Sequence, residues 1–182
     1  MRAMADEPRT FLELRVNRVQ QMFNSMDPAP FRERDLDPQA VGYIVDWATQ
    51  HSRSRVLGLR IQVAGPPAEG ETTEAIVAAV RANFARMERA SQLDLRRLFR
   101  TGRVSLCIGL AFLSLAIIGA EHIASTTSLR YAGLISESFA IGGWVALWRP
   151  LEIFLYDWWP IAERVRMYRR LASMNVVIEV ER

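Results

Sequence analysis

The sequence contains no lysine: all 23 of its basic residues are arginine. That removes a Schiff-base lysine, a lysine general base and a Walker-type phosphate loop, each of which needs a primary amine. One cysteine, Cys107, excludes an internal disulfide. Two histidines, His51 and His122, stand far apart and form no Cys/His group with metal-ligand spacing. The expectation is a chain without bound metal or cofactor. The opening MRAMADEPRT has no apolar stretch, so no cleavable signal peptide is expected.

Charge is also scarce in two runs. Val104 to Ala120 is seventeen residues with none, and Tyr131 to Trp148 is eighteen with one, Glu137. At about 1.5 Å per residue both reach the short end of a bilayer span. Arginine is massed outside them on one side. Arg96, Arg97, Arg100 and Arg103 precede the first run; Arg149, Arg164, Arg166, Arg169 and Arg170 follow the second; Arg130 stands between. The positive-inside rule then predicts a transmembrane hairpin in a bacterial inner membrane, both termini cytoplasmic and a short loop outside. Trp144, Trp148, Tyr156, Trp158 and Trp159 fall on the inner side, where an interfacial aromatic belt anchors a membrane protein.

The rest reads as an α/β domain in two layers. Phe11 to Val16, Val56 to Val63 and Asn175 to Glu181 alternate apolar and polar residues, as half-buried strands do. One helix is expected from Asn17, with Val19, Met22, Phe23 and Met26 on its apolar face, stopped at Asp27-Pro28. A second starts at Asp37-Pro38, an N-cap followed by proline at the first helical position, with Val41, Ile44, Val45 and Ala48 inward. A third runs from Thr72 through Ile76, Val80, Phe84 and Met87 with no breaker before Gly102, so it can continue into the membrane. Pro160 opens a last helix, Ile161 to Met174. The expected domains are a cytoplasmic α/β unit over 1–100, a hairpin over 101–150 and an interfacial segment over 151–182. The last of these returns its strand to the sheet, giving about three strands with helices on one face.

Glu137 is the sharpest candidate site. Pairing the two runs end to end sets it level with Ser114 or Leu115, and an ionisable group at such depth marks a functional site by default. The bland alternative leaves it near the outer interface. Ser138, Gly142 and Ala146 recur every four residues, a face that lets a second helix approach closely, in the same hairpin or in another subunit. Arg164, Arg166, Arg169 and Arg170 are expected to meet anionic headgroups. Asp27, Asp35 and Asp37 offer carboxylates for catalysis or a hard cation, but their places beside prolines and alternating charges fit helix caps and surface pairs better. No nucleophile, base and oxyanion set is found, and no nucleic-acid module.

The stretches FNSMDPAPFRERDLDPQAVGYIVDWA and WRPLEIFLYDWWP resemble a family of uncharacterised bacterial two-span inner-membrane proteins. The resemblance would cover most of the chain; it implies the architecture and carries no activity. The function expected is non-enzymatic: an assembly or accessory subunit whose partners are the lipid bilayer and either further copies or a larger membrane complex. The competing expectation is a homo-oligomeric channel or ion pathway containing Glu137.

Overall fold

A computed structural model of the chain describes residues 10–31, 34–51, 57–65, 72–126 and 132–180. The order of elements is β1 (Thr10–Val16), α1 (Pro38–Gln50), β2 (Leu57–Val63), α2 (Thr73–Thr126), α3 (Ala132–Glu152), α4 (Trp158–Ala172) and β3 (Asn175–Val180). They form two compact units. One holds the residues up to Ala90 and those from Glu163 onward; the other is Ser91–Ala162.

The first unit is built on a three-stranded parallel sheet in the order β1-β2-β3. Leu12 pairs with Leu59 and Leu59 with Val176; Leu14 pairs with Ile61 and Ile61 with Ile178. These rows lie on one face of the pleat, and that face is the core. Ile61 at the centre is fully buried, packed with Ile44 and Ala48 of α1, Ile76, Val80 and Phe84 of α2, and Leu171 of α4. Parallel crossovers are right-handed as a rule, so two crossovers stepping the same way across a sheet put their helices on the same side. The order β1-β2-β3 therefore accounts for the single helical layer.

On the opposite face, Arg60 of β2 reaches Glu13 of β1 at 2.8 Å and Glu179 of β3 at 3.1 Å. Its Nε pairs electrostatically with Glu179 without hydrogen-bond alignment. The guanidinium also stands 5.2 Å from the centre of the Phe11 ring. That ring lies across Gly58, where any β-carbon would overlap it. One arginine thus ties all three strands together on this face.

Local chemistry explains the helix starts. Asp37 Oδ1 accepts from Gln39 N at 2.8 Å, capping α1 ahead of Pro38, and Thr72 Oγ1 accepts from Ala75 N at 3.2 Å to start α2. The helix expected from Asn17 shrinks to a 3-10 turn, Val19–Met22. Beyond it Asn24 and Asp27 turn their side chains onto Met26 N and Ala29 N, both at 2.9 Å, and these local bonds displace helical ones. Phe23 instead forms an antiparallel bridge with Leu36, and Met26, assigned to the apolar face from sequence, is 89% exposed. The Gln21 side chain, not Asn17, serves the turn, accepting from Asn17 N at 3.1 Å.

The third helix continues as its sequence allows, and one other boundary differs from the sequence reading. α2 is one helix of 54 residues that passes through Gly102 unbroken. Arg149-Pro150 does not end α3; the chain stays helical to Glu152, continues as a π-helical turn over Ile153–Asp157, and enters α4 directly. Trp158 Nε1 donates to Phe154 O at 3.0 Å across this turn.

Candidate functional site

Within the second unit, the latter part of α2 packs antiparallel against α3 and the π turn. A methyl on Gly102 would come within 2.9 Å of Ile153 Cγ2, one on Gly109 within 2.9 Å of Leu147 Cδ2, and one on Gly143 within 2.4 Å of Leu113 Cδ1. Gly102, Gly109 and Ala116 are seven residues apart, and all three are buried. Gly143 and Pro150, also seven apart, are buried on the facing helix. A strict seven-residue repeat keeps one stripe of a helix against its neighbour, and here the stripe is made of the smallest side chains.

Apart from Leu113, Leu147 and Ile153, which meet the seam glycines, most large apolar residues point the other way. Leu115 is 70% exposed, Ile118 63%, and Trp144 and Trp148 69% each. Ile108, Phe112, Ile141 and Val145 are exposed as well. Glycine and alanine inside with leucine, isoleucine and tryptophan outside is the reverse of a soluble helix pair. Among the described residues one helix, α2, is long and apolar enough to cross a membrane; its 18-residue window has mean hydropathy 2.1 and is 11% buried.

The contacts also set the level of Glu137. From Gly143 against Leu113, six residues along each helix lead to Glu137 and Gly119. The end-to-end pairing that set Glu137 beside Ser114 or Leu115 is therefore displaced by about one helical turn toward the connection between the helices. The reason is that the close-approach glycines, not the ends of the apolar runs, fix the register. The Glu137 side chain is exposed on the outside of the pair. Ser114 Oγ donates to Leu110 O at 2.8 Å, which satisfies it within its own helix.

The three small residues of α3 do not all lie on the seam with α2. Ala146 lies on the seam, its carbonyl oxygen near Gly109. Gly142 borders it, with room for a β-carbon 3.7 Å from Phe112 Cε1. Ser138 is exposed and donates to Leu134 O at 2.8 Å. The signal missed in the sequence was the seven-residue recurrence of Gly102, Gly109 and Ala116.

Gly102 against Ile153, and Phe99 stacked on Phe154 with ring centres 6.1 Å apart, bring arginines and aromatics to one end of the pair. Arg96, Arg97, Arg100 and Arg103 are exposed there on α2, with Trp148, Tyr156 and Trp159 exposed on the other strand of the pair. Arg149 is held by Glu152 at 2.9 Å and Asp157 at 3.2 Å. Trp158 stands edge-on to Trp159.

On α4, Arg164 and Arg166 are exposed, while Arg169 Nε donates to Glu88 Oε1 of α2 at 2.8 Å. The Asp27–Asp37 stretch is used structurally. Asp35 N donates to Asp27 Oδ2 at 2.8 Å, and Asp35 itself accepts from Arg86 Nε at 3.1 Å. The buried Asn83 accepts from Leu36 N at 3.2 Å. Two backbone N–H groups, Asp35's foremost and then Ala29's, hold the Asp27 carboxyl below its ordinary value. A cleft of about 600 Å³ lies alongside, with Val41, Val45, Met87 and Tyr168 in its wall and Asp35 and Arg86 at its rim. Those two rim charges neutralise each other. Among the described residues no group of three or more His, Cys, Asp or Glu side chains could hold a metal ion.

No family model, curated protein or solved structure matches the chain.

Proposed function

We propose that the protein is a non-enzymatic subunit of a bacterial inner membrane, anchored by a two-helix hairpin and acting through assembly. The observation that supports this is the inverted packing of α2 against α3, with Gly109, Ala116 and Gly143 inside and Leu115, Ile118, Trp144 and Trp148 outside. Water would penalise that outer surface at about 25 cal/mol per Å²; lipid does not. The spans are about 104–120 and 131–148. The arginine-rich end faces the cytoplasm, both termini lie there, and the α/β unit presents its surface to partners. Two helices leave much of their circumference to lipid or to other subunits, so the assembly is a homo-oligomer or part of a larger complex.

Reporter domains test the topology: one inserted at residue 126 should read as external, one fused after residue 182 as cytoplasmic. Native mass spectrometry in nanodiscs tests assembly. A lone 20.7 kDa species would argue against it, and a cytoplasmic reading at residue 126 would remove the hairpin.

A second reading, an ion pathway, draws on Glu137, an exposed carboxylate on an apolar helix. A ring of such groups from several copies would attract cations.

A further inference from the structure

Four arginines share one outward face of α2. With 3.6 residues per turn, Arg96, Arg97, Arg100 and Arg103 fall within an arc of about 120°, centred almost opposite Gly102. Gly102 is the residue that α2 turns toward Ile153, so the arc is turned away from the helix pair's own seam. All four side chains are exposed. Asp94 lies 3.7 Å from Arg97, at the edge of the arc. Among the described residues no ion pair or side-chain hydrogen bond engages Arg96, Arg100 or Arg103. The two acidic groups that share this end of the pair, Glu152 and Asp157, are both occupied by Arg149. The arc borders directly on the exposed apolar surface that begins at Val104 and Ile108.

We propose that this arc is a binding surface for the phosphodiester groups of anionic phospholipids. The inference rests on the membrane reading above and adds the chemistry of the lipid. A guanidinium presents a planar fork that matches two phosphate oxygens, and at a headgroup boundary it is partly desolvated, which strengthens the pairing. From Arg96 to Arg103 the helix rises about 10 Å, so the arc tracks a line running down to the acyl chains. The apolar residues below it accept those chains while the arginines hold the headgroups. Arg164, Arg166, Arg169 and Arg170 belong to α4, and one of them is already committed to Glu88.

The test uses the full chain reconstituted in bilayers of phosphatidylcholine containing phosphatidylglycerol, with bromine on the acyl chains of one lipid at a time. Quenching of tryptophan fluorescence by brominated phosphatidylcholine reads membrane insertion. The ratio of quenching by the two brominated lipids reads preference. Wild-type protein should prefer phosphatidylglycerol, and the preference should fall about fivefold for each arginine of the arc changed to glutamine. The triple variant Arg96→Gln, Arg100→Gln, Arg103→Gln should keep its quenching by phosphatidylcholine and lose its preference. Equal quenching by both lipids in the wild type, or a preference that survives the triple variant, overturns the arc as a lipid site. Absence of quenching by either lipid overturns the membrane reading itself.

Discussion

Ala146 turns its carbonyl oxygen toward Gly109, 3.0 Å from where a β-carbon on that glycine would stand. Four residues further along α3 is Pro150, which has no N–H, so this carbonyl lacks its usual helical donor. The backbone of Gly109 stands against it instead, where a β-carbon would crowd the oxygen. The proline of one helix frees a carbonyl, and the glycine of the other leaves room for it.

Adjacent glycines of α3 should respond oppositely to one methyl group. Gly143→Ala drives a β-carbon to 2.4 Å from Leu113 Cδ1 and 3.3 Å from its Cα, and should cost about 1–3 kcal/mol. Gly142→Ala meets only Phe112 at 3.7 Å and should be neutral or slightly stabilising. Melting in detergent, followed by circular dichroism, separates them; equal melting temperatures would show that the seam is not the one described.

Neighbouring residues of β2 on opposite faces give a second contrast. Ile61→Ala opens a cavity at the centre of the core and should cost about 2–5 kcal/mol. Arg60→Gln removes partly exposed ion pairs with Glu13 and Glu179 and should cost about 1 kcal/mol or less. Hydrogen exchange of the β2 amides reads both, and protection should collapse in the first variant alone.

Asp27 makes stability depend on acidity. Its carboxyl is lowered from the ordinary 3.8 by hydrogen bonds from Asp35 N and Ala29 N. A group depressed in the folded state contributes stability that is fully present above its unfolded value and lost as pH falls through the folded one. Asp27→Asn should therefore weaken the protein near neutral pH, and the difference from wild type should shrink below about pH 4. Urea titrations at a series of pH values check this; a constant difference down to pH 2 would show that the carboxylate's charge plays no part.

Glu137→Gln separates the two functional readings. A structural subunit should assemble and insert unchanged, since the amide keeps a hydrogen-bonding group without charge. A cation pathway should lose conductance in planar bilayers, because the field of the carboxylates is gone. Bilayers that stay silent with wild-type protein retire the pathway.

Much of the fold could be read from the residues themselves. Alternation marked all three strands to within a residue or so, and Asp37-Pro38 marked the start of α1. The segment after Asn17 misled because its apolar spacing fits a helix, while Asn24 and Asp27 prefer to bond their own neighbouring N–H groups. Interhelical register was not legible from the lengths of the apolar runs. It depends on which glycines admit a neighbour's side chain, as Gly143 admits Leu113. Pairing run against run ignores that, and sets Glu137 about one turn too far from the connection between the helices. The stripe Ser138, Gly142, Ala146 drew notice by its four-residue spacing, whereas the seam follows a seven-residue one. The sheet's tie through Arg60 needed the parallel register, which alternation alone does not supply.

The place of β3 in the chain carries a consequence for biosynthesis. Its pairing edge on β2, with Leu59 and Ile61, is translated first, and some 110 residues separate the two strands. At about 5–20 residues per second, a ribosome leaves that edge unpartnered for roughly 5–20 s while the whole of the second unit emerges. A chain interrupted anywhere in α2 or α3 keeps a two-stranded sheet with bare apolar rows, the state that chaperones hold and proteases degrade. Closing the sheet thus waits for the second unit: only chains that have completed both apolar helices can lay Val176 and Ile178 beside Leu59 and Ile61.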